Sequence, residues 1–224
     1  MPVLESRDLH LRIGATEALR GASLALDSGE IVALCGPSGS GKSTLLHCLA
    51  GILRPDRGSV TYDGRRIDDL GERERSALRR DEFGFVFQSG MLVPDLPLCE
   101  NVMLPLLLTG ARRREARPQA DAWLERLGLL ACANRLPAAV SGGQAQRAAL
   151  ARALIHRPRV VFADEPTGAL DSEASGLVVD LLTSLVREEG AGLVLVTHDA
   201  TVAAHADREV VLLDGANRER EAVA

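Results

Sequence analysis

Residues 36–43 read Gly-Pro-Ser-Gly-Ser-Gly-Lys-Ser, and no other stretch constrains the fold of this chain as tightly. They satisfy the phosphate-loop pattern GxxxxGK[ST] at every fixed position. The apolar run Ile31 to Cys35 before the loop predicts a buried strand, and Thr44 to Leu49 after it begins a helical pattern. In that setting the glycines let successive backbone N–H groups turn inward around a polyphosphate. The helix N-terminus adds its partial positive charge to the same spot. Gly36, Pro37, Ser38, Gly39, Ser40, Gly41, Lys42, Ser43 and Thr44 are therefore the expected phosphate-binding residues. Lys42 reaches for the β- and γ-phosphates, and the Ser43 hydroxyl is placed to ligate magnesium.

The chain has 224 residues, enough for one sizeable core with a subdomain. A net charge of -5 gives no general electrostatic reason to bind nucleic acid, and none is expected as a partner. Cys35, Cys48, Cys99 and Cys132 fall at no metal-ligand spacing and read as small core residues in a reducing compartment. The best membrane candidate, Val102 to Leu108, is short and contains Pro105, whereas a span needs about twenty apolar residues. The N-terminal residues lack a basic region followed by an apolar one. A cytoplasmic protein is expected, with any membrane role passing through a partner.

Alternating apolar stretches at Leu9–Ile13 and Leu19–Leu26 predict strands ahead of the phosphate-loop strand. Gly58 to Gly64 predicts another, closed by an Asp-Gly turn, and Gly84 to Gln88 a buried strand after a charged helix at Glu72–Arg80. From about residue 89 to 157 the β signal disappears. Ala120 to Leu130 has helical spacing, and Gln144 to His156 is rich in helix-forming Ala, Leu and Arg. Strands at Val160–Ala163, Leu193–Val196 and Val210–Leu213 follow, with a helix near Ser172–Glu189 between the first two; Arg218 to Glu221 reads as a frayed tail. The alternation predicts an α/β core of mainly parallel strands carrying a helical insertion.

Three further motifs bear on chemistry. The strand Val160–Ala163 runs into Asp164 and Glu165. In phosphate-loop enzymes an Asp there completes the magnesium site, and the Glu after it is placed to polarise a water. Ser141-Gly142-Gly143-Gln144 feeds the Ala-rich helix, which offers a second anion-binding helix end or an ordinary serine N-cap. Gln88 and His198 each follow a strand end, where ligands of parallel sheets collect.

These motifs in this order resemble the ATP-binding-cassette ATPases over residues 3 to 214. The matching segments are GPSGSGKS, FVFQ ending at Gln88, VSGGQ at 140–144, VVFADEP at 160–166, Ala169-Leu170-Asp171 and VTHD around His198. The resemblance implies one cassette spanning 1–224, with a phosphate-loop NTPase core and antiparallel β subdomain at about 1–88 and 158–224. A helical subdomain would occupy about 89–157. It implies ATP and Mg2+ as cofactors and ATP hydrolysis as the reaction. Lys42, Ser43 and Thr44 would hold phosphate and metal, and Asp164 and Gln88 would support the metal. Glu165 would be the base, His198 the switch, and Asp171 the link between sites. Ser141, Gly142, Gly143 and Gln144 would close on the ATP of a second cassette.

The segments FVFQSGMLVPDLPLCENVMLPLLLTG and ADEPTGALDSEASGLVVDLL are most similar to the group containing the macrolide-exporter, lipoprotein-release and cell-division cassettes. That implies a separate membrane permease docking near Gln88 to Asn101, with Met91, Leu92, Val93 and Leu96 forming either a groove there or core packing within the insertion. The protein would then sit on the inner face of the cell membrane, powering an exporter or a lipid or lipoprotein extractor. A mechanical regulator that transports nothing would use the same motifs, as would a soluble non-transport cassette. Arg112 to Glu115 reads as a solvated helix face, and His10, His47, His156 and His205 as structural.

Two positions depart from the family pattern. Val140 stands where Leu is usual, and Ile13 where an aromatic residue stacks on adenine. Aromatic–base stacking is worth about 1–3 kcal/mol, so Ile13→Tyr is expected to bind ATP about tenfold more tightly and to discriminate better between bases. Titration of the two proteins with ATP checks this, and equal affinity would remove the reading.

Overall fold

A computed structural model describes residues 1–218. Its elements are β1 (Leu4–Ile13), β2 (Thr16–Leu26), β3 (Ile31–Cys35), α1 (Lys42–Leu49), β4 (Arg57–Tyr62), β5 (Arg65–Arg66), α2 (Glu72–Asp81) and β6 (Phe83–Phe87). There follow α3 (Leu98–Leu108), α4 (Arg113–Arg126), α5 (Gly142–Leu154), β7 (Val160–Asp164) and α6 (Ser172–Glu189). The order ends with β8 (Gly192–Val196), α7 (Ala200–Ala203), β9 (Arg208–Leu213) and β10 (Ala216–Arg218).

Two sheets form. One is antiparallel in the order β2-β1-β4-β5; the other runs β10-β9-β3-β8-β7-β6 and is parallel except for β10. The short strands β3, β7 and β8 are almost wholly buried because both faces of the large sheet are covered. Val32, Leu34, Val160, Phe162, Val194 and Val196 face α1 and the antiparallel sheet. Ile31, Val161, Ala163, Leu193 and Leu195 alternate with them and face the helices α3 to α6. The predicted α/β class with mainly parallel strands, an antiparallel N-terminal sheet and intervening helices is the fold observed.

Several boundaries differ from the sequence reading. The helix expected at 120–130 begins at Arg113, where the Arg112 N–H donates to Glu115 Oε2 at 3.3 Å, and it ends before Gly128. The helix expected at 144–156 starts at Gly142, capped by Ser141, and stops at Leu154 ahead of Pro158. The last strand is longer than expected and turns back at Asp214-Gly215 into β10. Of the presumed frayed tail, Arg218 pairs with Val211, and the rest lies outside the described residues. The apolar run 102–108 lies in α3: Val102 and Met103 are buried in the core while Leu108 is 66% exposed.

Five of the six aromatic residues touch in series. Tyr62 meets Phe83 edge-on at 5.1 Å, and Phe83 meets Phe162 edge-on at 5.2 Å. Phe162 stacks on Phe85 at 5.5 Å, and Phe85 on Phe87 at 5.9 Å. This cluster bolts β6 to β7 and to β4 of the antiparallel sheet. Phe162→Ala would open a cavity within it and is expected to lower stability by about 3–5 kcal/mol, read from urea unfolding midpoints at constant slope.

Candidate functional site

The register of the large sheet sets the site. Leu34, Val196, Asp164 and Phe87 are paired across β3, β8, β7 and β6, so they form one row. The residues leaving that row are the phosphate loop after Cys35, Thr197-His198, Glu165 and Gln88. Four motifs far apart in sequence therefore emerge side by side at the carboxyl edge of a parallel sheet, where such folds bind ligands.

The phosphate loop is shaped by backbone crowding. A Cβ on Gly36 (φ 145°) would lie 2.2 Å from the Leu212 carbonyl oxygen, and one on Gly41 (φ 100°) 2.5 Å from that of Ala18. No side chain fits at either point. Lys42 is buried, and its Nζ donates to the carbonyls of Gly36 and Pro37 at 2.9 Å each. An ammonium has three hydrogens, so one remains for an anion. Ser43 Oγ donates to Asp164 Oδ1 at 3.0 Å, and both line one hollow with Gln88 and Glu165. Hydroxyl, carboxylate and amide oxygens are the hard donors that magnesium selects, and the residues present fit that ion.

Glu165 lies beside His198, with 3.1 Å between Nδ1 and Oε1, so carboxylate and imidazole form a pair. Its backbone is left-handed (φ 46°) and its N–H donates to the Val196 carbonyl at 3.0 Å, which fixes the turn after β7. Such a conformation in a non-glycine residue is costly and marks a position held by its surroundings.

Ser141, Gly142, Gly143 and Gln144 do not line the hollow of their own phosphate loop. Ser141 caps α5: the Gln144 N–H donates to Ser141 Oγ at 3.2 Å and the Ser141 N–H to Gln144 Oε1 at 2.9 Å. The ordinary N-cap is thus present, while Ser141 and Gly142 remain exposed. Asp171 caps α6 in the same manner, accepting from the Ala174 N–H at 2.8 Å.

Sequence reasoning missed three features. Arg20 and Glu17 line the hollow around the phosphate loop, brought there because the Arg20 N–H donates to the Gly215 carbonyl at 2.7 Å. Ile13 does not line it and is 53% exposed. Gly168 packs so closely on Gln88 that a Cβ would sit 2.6 Å from Nε2; its place between Glu165 and Asp171 was the available signal.

The third is an apolar groove of about 840 Å³ behind the strand ends. Phe85, Phe87, Leu104, Pro105, Leu108, His47, Ile52 and Arg79 are among its lining residues. Of the four candidate groove residues, only Met91 lines it; Leu92 packs on the core instead. The apolar run Val102–Leu108 in α3 was the signal, since it is wider than one buried helix face requires.

His156 also lines this groove, its Nε2 bonded to the Phe83 carbonyl at 3.1 Å and its pKa held down by burial. His205 pairs with Asp180, and His10 lies between Asp8 and Glu17. Cys48 is buried and its thiol is pushed up to about 12, first by desolvation and then by Asp56, which keeps it protonated and inert.

The ABC transporter family matches residues 19–168. The chain is 46% identical to the lipoprotein-releasing system ATP-binding protein LolD 2 of Caulobacter vibrioides, with 96% of each chain covered. It is 43% identical to LolD of Hyphomonas neptunium, again over 96% of both. It is 47% identical to the uncharacterized ABC transporter ATP-binding protein YbbA of Escherichia coli K12, over 95% of both. Among solved structures, the dimeric post-hydrolysis state of the ATP-binding cassette MJ0796 bound to ADP and Pi aligns with a TM-score of 0.88. It is 38% identical, and 97% of each chain is covered.

Proposed function

The chain belongs to the ABC transporter family as an ATP-binding, ATP-hydrolysing subunit, and we propose that it powers a separate membrane permease that extracts lipoprotein or a similar lipid-anchored substrate. The relatives named for lipoprotein release support that substrate class. No helix among the described residues is long and apolar enough to cross a membrane. The subunit works on the cytoplasmic face, with residues 1–88 and 158–224 as the catalytic core and 89–157 as the helical part that meets partners.

The observation that carries the catalytic reading is the single row of strand ends, which sets the Ser43–Asp164 contact beside the Glu165–His198 pair. ATP binds with its phosphates in the nest of residues 36–44, and the spare hydrogen of Lys42 Nζ goes to the β/γ oxygens. Ser43, Asp164 and Gln88 would hold magnesium, which would supply positive charge to offset that of the phosphates. Glu165 accepts a proton from water as the water oxygen bonds to the γ-phosphorus and the bond to the β-bridging oxygen breaks. His198 fixes the Glu165 carboxylate and faces the γ-phosphate.

Two copies pair so that Ser141 to Gln144 of each closes on the other's nucleotide. The exposure of Ser141 and Gly142, and the absence of all four from the hollow of their own phosphate loop, support this. The free Ser141 O–H and the first N–H groups of α5 then complete an anion site that one copy leaves unfinished. Asp171, at the start of α6 on the same surface, links the two sites. Hydrolysis removes the contacts that favoured closure, and the dimer opens.

The groove lined by Phe87, Leu104 and Leu108 takes an apolar element of the permease. Its apolar lining, together with the 66% exposure of Leu108, supports a docking role.

Glu165→Gln should bind ATP, accumulate as a dimer in size-exclusion chromatography, and lose turnover by about 10²-fold or more in a phosphate-release assay. Wild-type turnover would show that another group is the base. Leu108→Asp should keep its thermal midpoint but fail to co-purify with a four-span membrane protein from detergent extracts; undiminished co-purification would exclude the groove as the docking site.

A further inference from the structure

Helix α5, which begins at the exposed Ser141-Gly142 turn, also grips the segment that follows β6. Gln146 is 2% exposed, and its Nε2 donates to the Phe87 carbonyl at 2.9 Å. Six residues on, Arg152 donates from Nη1 to the Met91 carbonyl at 2.7 Å and from Nη2 to the Gly90 carbonyl at 2.6 Å. The three accepting carbonyls flank Gln88. The two ties are separated by about 9 Å along the helix axis, so they resist rotation of the segment as well as translation.

The cost of this arrangement argues that it has a use. Arg152 is partly buried at the edge of the groove, and desolvation holds its pKa below the ordinary arginine value. A partly desolvated cation needs dipoles in place of the hydration it loses, and here two carbonyls supply them. The acceptors are themselves in unusual backbone. Gly90 has φ 69° and Met91 φ 45°, and the Gly90 N–H closes a turn on the Phe87 carbonyl at 2.9 Å. A planar guanidinium spans two such carbonyls at fixed spacing; a lysine ammonium does not.

The gripped segment is also a partition. Phe87 and Met91 line both the apolar groove and the hollow that holds Ser43, Gln88 and Asp164. Whatever sets their position is felt on both sides of that wall.

We propose that Arg152, assisted by Gln146, is a positioning residue that locks the Gln88 segment to α5, so that Gln88 and the Ser141 helix end move as one body. This rests on the reading of Gln88 as a metal-side donor. The helix that reaches the partner cassette then cannot shift without carrying Gln88 toward or away from Ser43 and Asp164. Arg152 touches neither substrate nor metal; it acts through the two carbonyls.

The test uses the whole chain with Arg152→Lys, Gln146→Met and Gln88→Ala. In Arg152→Lys, amide hydrogen exchange over residues 87–93 should quicken about tenfold while exchange in β7 stays as in the wild type. The magnesium concentration for half-maximal ATP hydrolysis should rise about fivefold, with ATP affinity in EDTA unchanged. Unchanged exchange at 87–93, or exchange quickened throughout the chain, would overturn the proposal. Should Arg152→Lys fail to fold, Gln146→Met is read on the same exchange measurement, and its silence there would overturn the tie. Gln88→Ala isolates the premise: an unaltered magnesium requirement would refute the donor reading of Gln88, while the exchange result would still judge the tie.

Discussion

Parallel pairing of β3, β8, β7 and β6 is the constraint on which the rest of this molecule depends. Parallel strands share a direction, so all four carboxyl ends finish on one edge, and the register puts Leu34, Val196, Asp164 and Phe87 in one row. A slip of one residue in β7 would turn Asp164 away from α1 and Phe162 out of the aromatic cluster. Burial of both faces makes such a slip expensive. Each buried Val or Leu contributes about 1.5–3 kcal/mol, and Val160, Val161, Phe162 and Ala163 are all inside. The same apolar contacts that stabilise the sheet therefore fix the geometry of its polar edge.

The polar residues on that edge also hold one another. Ser43 is bonded to Asp164, Glu165 to His198, and Lys42 to loop carbonyls, so each functional group has a defined direction before a substrate reaches it. Preorganisation of this sort is the usual source of electrostatic catalysis. Ser141 and Asp171 follow a different logic: each caps the helix it begins, and each stands at the surface. Capping accounts for their local stability and leaves the Ser141 hydroxyl hydrogen and the first turn of α5 available to a partner.

The phosphate loop, the acidic strand end, Gln88 and His198 were legible in the sequence because each is a short motif next to a strand, and local chemistry fixes its type. The helix near Ser172–Glu189 was legible, and the structure bounds it with the Asp171 cap and left-handed Gly190. Boundaries between 98 and 156 were not. There Pro105 and Pro118 lie inside helices, and Ala-rich and Leu-rich runs carry little periodicity, so tertiary packing decides where each helix begins. The choice between groove and core was left open for a related reason: Leu92 and Met91 are adjacent and both apolar, and the left-handed turn at Met91 accompanies one in the core and the other in the groove.

By itself the sequence determined that a polyphosphate is bound, that a carboxylate pair follows a buried strand, and that a serine-capped helix end stands ready elsewhere. These depend on backbone freedom, charge and capping within a few residues. The tertiary structure decided which groups meet. It joined Ser43 to Asp164 and Glu165 to His198 across 121 and 33 residues, kept Ser141 out of its own site, and made Phe87 and Met91 a wall between groove and strand ends. Such meetings follow from strand register and from burial on both sides of a sheet, which no local pattern specifies.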